Sequence, residues 1–112
     1  DAADLLPDRL AVEPCRGRYC YDASDVLAVL TSAGPRTRCV IRIEIGGVGY
    51  DPNVYGAAGE EGPGQLHPRG KLPAFLATGG DPWNPYDVIP WIQGQIEAGQ
   101  GFAWAGIRDG WC

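Results

Sequence analysis

Residues 35–47 read Pro35-Arg36-Thr37-Arg38-Cys39-Val40-Ile41-Arg42-Ile43-Glu44-Ile45-Gly46-Gly47, and this stretch sets the architecture. Proline suits the first position of a helix, where its missing N–H costs nothing, and the glycine pair supplies a stop. A helix from Pro35 to about Ile45 carries Cys39, Val40, Ile41, Ile43 and Ile45, so it is apolar almost all round and belongs at the centre of a core. Arg38 and Arg42, four apart, form its one wet stripe. At about 100° per residue, Glu44 points nearly opposite Arg42, on the side of Val40 and Ile41.

A carboxylate there is disfavoured twice. Desolvation opposes its charge, and so does the negative end of the helix dipole. Both raise its pKa toward the range a general acid needs near neutral pH. The competing reading of Glu44 is a structural carboxylate bonded to loop amides or to an arginine.

Outward from this helix the chain alternates short helices with turns. A preceding helix starts near Ser24, with Asp22 and Ser24 as caps, directs Val26, Leu27, Val29 and Leu30 to the core and stops at Gly34. From Val48 to Arg69 the sequence is turn after turn, too long for an idle connection, and this marks a functional loop. A short helix is predicted over Leu72–Thr78. Asn84 and Pro85 then open a last main helix that runs through Trp91 and Ile96 to Gly99, with Pro90 inside it to kink it or delay its start. The tail from Phe102 to Cys112 is aromatic, and residues 1–21 form an acidic N-terminal arm. The fold class expected is mainly α: one domain of short helices with a long glycine-rich loop.

Composition agrees. Of 112 residues, 17 are Gly and 10 are Pro, which excludes a coiled coil or regular bundle, while four Trp and five Tyr argue against disorder. The net charge is −5 and no basic stripe is present, so nucleic acid is not an expected partner. No apolar run approaches the ~20 residues of a membrane span. The chain opens at Asp1 and contains no Met, so any secretion signal is expected to have been removed or to lie outside this sequence.

Cys15, Cys20, Cys39 and Cys112 suit two disulfides better than structural zinc, although four cysteines allow three pairings. A cysteine at the chain end makes sense as a clasp. Were Cys39 to pair with Cys112, the chain-entropy account gives about 4 kcal/mol, against about 2 for a short Cys15–Cys20 loop. Disulfides imply an oxidising, extracytoplasmic setting.

The loop after Glu44 contains Gly62-Pro63-Gly64-Gln65-Leu66-His67-Pro68, whose backbone groups could approach a ligand closely. Tyr50, Tyr55, Trp83, Tyr86, Trp91 and Trp104 supply flat faces able to stack on sugar rings, Trp91 being the one better read as core. A second carboxylate could come from Asp51, Glu60, Glu61 or Asp81. Asp51 and Asp81 read as turn residues, and Glu60 and Glu61 as candidates to line a cleft. His67 is a further cleft candidate, although a histidine before Pro68 suits a structural turn.

The ordered set of Glu44-Ile45-Gly46-Gly47, Tyr50-Asp51-Pro52-Asn53-Val54-Tyr55-Gly56, Gly59-Glu60-Glu61-Gly62-Pro63-Gly64-Gln65-Leu66-His67-Pro68 and Asp81-Pro82-Trp83-Asn84-Pro85 resembles the lytic transglycosylase and goose-type lysozyme superfamily. That family closes a helix with a glutamate, then has a P-N-A-x turn and a G-x-x-G-x-x-Q-x-x-P loop. Its small secreted members also place cysteines where Cys39 and Cys112 stand.

The resemblance spans about residues 22–112. It implies a lysozyme-like domain there, while residues 1–21 are read separately as an arm with a short Cys15–Cys20 disulfide loop. It also implies cleavage of the β-1,4 bond between N-acetylmuramic acid and N-acetylglucosamine in peptidoglycan by a secreted monomer without cofactor or metal. Glu44 carries over as general acid and Gln65 as a cleft residue; Tyr55, Glu60, Glu61, His67, Trp83 and Trp104 are expected along the glycan. The family's A-Y-N-A-G helix has no clear match: Phe102-Ala103-Trp104-Ala105-Gly106 lies in the corresponding region but lacks both Tyr and Asn. Its tyrosine helps orient the glutamate. The rival functions are a non-catalytic glycan-binding module and a disulfide-stabilised extracellular interaction domain. The negative charge argues against a charge-steered wall-lytic toxin and for help from another module.

Overall fold

The computed structural model describes residues 21–49 and 51–112. The N-terminal arm, the Cys15–Cys20 pairing and Tyr50 lie outside the described residues. Five helices follow in order: α1 (Ala23–Thr31), α2 (Pro35–Gly46), α3 (Lys71–Leu76), α4 (Pro85–Glu97) and α5 (Ala105–Arg108). Among the described residues the only β pairing is an antiparallel bridge between Glu61 and Leu66, so the architecture is mostly helical with almost no strand.

Each start has a local cause. At α1 the Asp22 side chain accepts from the backbone of Ser24 and Asp25, and Asp25 returns a bond to the Asp22 N–H, a complete capping box. At α2 Pro35 takes the first turn, and the Gly34 N–H donates to Gln93 Oε1 of α4 at 2.7 Å. Asn84 caps α4 by accepting from the Tyr86 N–H at 2.9 Å.

The α4 helix begins at Pro85 with no delay at Pro90, which is exposed, so the carbonyl left without its N–H partner can turn to water. The short α3 ends at Leu76, before the expected Thr78, where the chain tightens into i−3 bonds (Thr78 N–H to the Phe75 carbonyl at 2.9 Å) and turns at left-handed Gly79. The α5 helix stands in a tail for which the sequence suggested no element of its own.

Val40, Ile41 and Ile45 of α2 are fully buried among Val26 and Leu30 of α1 and Val88, Ile89 and Ile92 of α4. Helix α1 packs on α4, α4 on α2, and α2 on α5. The predicted central helix is thus the middle of the core. A disulfide joins Cys39 of α2 to Cys112, across 73 positions. Gly106 permits this closure: a Cβ there would lie 2.5 Å from Cys112 Sγ. None of the helices described is long and apolar enough to cross a membrane.

Candidate active site around Glu44

Glu44 lies in the last turn of α2, half-buried. Among the described residues no group hydrogen-bonds its carboxylate. Burial raises its pKa from an ordinary 4.5 to about 7; the charge of Glu60 adds to the rise and Arg108 opposes it. Near neutral pH a substantial share of Glu44 therefore carries a proton it can give away. Among the described residues neither a loop amide nor an arginine hydrogen-bonds it, although the charge of Arg108 reaches it.

The following loop is fixed by its own polar groups. Asp51 and Asn53 are buried, and Asp51 Oδ1 accepts from the Asn53 N–H at 2.9 Å, the turn role its sequence suggested. Asn53 Nδ2 donates to the Tyr21 carbonyl at 2.8 Å and ties the loop to the entrance of α1. The Gly56 N–H donates to the Glu60 carbonyl at 2.9 Å, and the Glu61–Leu66 bridge closes the next turn.

Within that turn Gly62 has φ +78, and a Cβ on it would lie 1.8 Å from the Pro82 carbonyl oxygen, so glycine is required. Gln65 has φ +48 and is the only non-glycine with positive φ among the described residues. A side chain in the left-handed region is disfavoured, and its retention requires surrounding contacts that hold it. Those contacts are present: Gln65 N–H and Nε2 both donate to the Gly62 carbonyl at 3.0 Å. Its Oε1 faces the Cα of Gly56 beside Glu60 Oε1.

The neighbouring glutamates part company. Glu61 Oε1 accepts the Trp83 indole N–H at 3.1 Å, whereas Glu60 acts on Glu44. Trp83 and Trp104 correct the expectation of open stacking faces. Trp83 is 4 % exposed and Trp104 2 %, because the indole of each is spent inside the fold. Trp104 Nε1 donates to the Gly64 carbonyl at 3.0 Å, next to Gln65. Tyr55 remains open at 51 % and meets Trp83 edge-on, with ring centroids 5.0 Å apart.

Of the other faces, Tyr86 is exposed on α4, and Trp91 is half-buried against Phe75, in keeping with its core reading. His67 turns to its own loop, its Nδ1 accepting from the Arg69 N–H at 3.0 Å. Asp81 likewise caps a turn by accepting from the Trp83 N–H at 2.9 Å.

Two participants were missed in the sequence: Arg108, whose charge reaches Glu44 from α5, and Gly56, which leaves room for two side-chain oxygens. A Cys39–Cys112 clasp was the available signal for Arg108, since it brings the tail onto α2. Among the described residues no three His, Cys, Asp or Glu side chains gather as metal ligands. A groove of about 470 Å³ between α1 and α4, lined by Val29, Ala33, Tyr86, Pro90 and Gln93, contains neither Glu44 nor its loop. No family model, curated protein or solved structure matches this chain.

Proposed function

We propose that this chain is a glycosidase that cleaves the β-1,4 bond between N-acetylmuramic acid and N-acetylglucosamine in peptidoglycan, with Glu44 as its general acid. The observation that carries the reading is the state of Glu44: half-buried, unbonded among the described residues and shifted to about 7. A structural carboxylate at that position would be expected to find a donor, since a buried charge without one is costly. A general acid is better left free, so that its proton can reach a glycosidic oxygen.

Three further features support the same reading. Gln65 is held in a strained conformation close to Glu60, Tyr55 offers an open ring on the same loop, and the order of motifs resembles lysozyme-like enzymes. The Cys39–Cys112 disulfide is consistent with a setting outside the cytoplasm. The test is turbidity loss of purified peptidoglycan with wild type and Glu44→Gln. Clearing by the first and not the second supports the reading. Equal clearing by both removes Glu44 from the mechanism, and retention on the insoluble wall without clearing favours a binding module.

A further inference from the structure

The loop after Glu44 carries two adjacent glutamates, and the fold gives them different work. Glu61 is spent on Trp83. Glu60 is held from both ends: its carbonyl accepts from the Gly56 N–H at 2.9 Å, and its Oε1 accepts from the Ala58 N–H at 2.7 Å. Its other carboxylate oxygen receives no hydrogen bond among the described residues.

Gln65 converges on the same point. Its Nε2 donates to the Gly62 carbonyl, which settles the end of the amide that is oxygen, and that oxygen faces Gly56. A Cβ placed on Gly56 would lie 2.3 Å from Gln65 Oε1 and 2.7 Å from Glu60 Oε1. Two acceptor oxygens thus face the same residue, which has no side chain. Gln65 Oε1 receives no hydrogen bond among the described residues. An acceptor oxygen is satisfied only by a donor, and water, with two O–H groups, is the smallest group able to serve both.

We propose that Glu60 is the second catalytic carboxylate of this site and, with Gln65, holds the water that attacks the sugar, so that the chain hydrolyses its glycan and leaves a reducing end. The assignment rests on the glycosidase reading above. Glu44 gives its proton to the glycosidic oxygen as the bond from that oxygen to C1 breaks. The water oxygen bonds to C1, one of its protons passes to Glu60, and the other remains on the new C1 hydroxyl. Exchange with solvent then takes the proton from Glu60 and returns one to Glu44. The competing attack, by the muramyl 6-hydroxyl, gives a 1,6-anhydro end and has no need of a second carboxylate. Two charged groups act on Glu44 from the elements around it: Glu60 on the loop and Arg108 on α5.

The experiment digests purified peptidoglycan with wild type, Glu60→Gln, Gly56→Ala and Glu44→Gln, reading sugar ends by mass spectrometry and rates across pH. Wild type is expected to release reducing ends. Glu60→Gln keeps an acceptor for Ala58 and so should fold, yet lose about 100-fold or more in kcat with KM little changed. The basic limb of its residual rate should move to lower pH, because the charge that favours protonated Glu44 is gone. Gly56→Ala, which displaces both oxygens, should lower kcat with a near-native thermal midpoint. Anhydro ends from wild type, or a Glu60→Gln rate and pH profile equal to wild type, would overturn the Glu60 assignment and leave Glu44 as acid. No cleavage by wild type would overturn both.

Discussion

Trp104 and Gly64 are joined by one buried hydrogen bond, from the indole Nε1 to the carbonyl oxygen at 3.0 Å. It connects the segment entering α5 with the residue before left-handed Gln65, so it anchors the candidate site and the core together. Trp104→Phe keeps most of the ring volume but leaves the Gly64 carbonyl without its partner. Urea unfolding should show a loss of about 1–3 kcal/mol. If Gln65 serves the reaction, kcat should fall at temperatures where the variant is still fully folded.

Glu44 makes the fold weaker as pH rises. Its folded pKa of about 7 stands above the ordinary 4.5, so between these values the folded chain binds more protons than the unfolded one. Stability from this group is then complete below about pH 4.5 and is lost as pH rises through 7. Glu44→Gln removes the dependence. At pH 8 the variant should be more stable than wild type by about 2 kcal/mol, once partial exposure of the carboxylate is discounted. The two should converge near pH 4, as denaturant midpoints at both pH values will show. A gain in stability with a loss of cleavage is the trade expected of a catalytic group.

The central helix and Glu44 were legible in the sequence because a 3.6-residue period and a Pro–Gly frame leave little choice over residues 35–47. The loop was legible as turns, yet its side-chain directions were not. Glu60 and Glu61 are adjacent and chemically identical, and only contacts made by folding tell them apart: the Trp83 indole on Glu61 and the Ala58 N–H on Glu60. Trp83 and Trp104 fail as stacking faces for the same reason: an aromatic residue's composition does not disclose which carbonyl or carboxylate will claim its N–H. The four residues of α5 are too short to leave a periodic signal, and their place is set by the packing of Gly106 under Cys112.

Gly62 and Gly79 share a left-handed backbone, with φ +78 and +85, but differ in surroundings. A Cβ on Gly79 meets nothing within 4 Å, whereas one on Gly62 would lie 1.8 Å from the Pro82 carbonyl oxygen. Gly79→Ala should therefore cost only the backbone preference, about 1–2 kcal/mol. Gly62→Ala adds a backbone collision and should lose at least about 2 kcal/mol more, by the same route as overpacking a core. Thermal unfolding of the pair separates conformational strain from contact. Equal losses would mean that the loop moves away from Pro82 without penalty.

Removing the Cys39–Cys112 disulfide should act on both stability and chemistry. The bond closes 73 positions of chain, so replacing both cysteines by Ser should cost about 4 kcal/mol. It also holds the tail against α2, and the tail brings Arg108 near Glu44. The Arg108 charge favours ionised Glu44, so loosening α5 should let the Glu44 pKa rise and carry the basic limb of any cleavage to higher pH. Arg108→Gln isolates this second effect with the disulfide intact. Carbon NMR titration of the Glu44 carboxyl should report an upward move in both variants. An unchanged titration in Arg108→Gln, with the expected loss of stability in the double serine variant, would confine the clasp to a structural role.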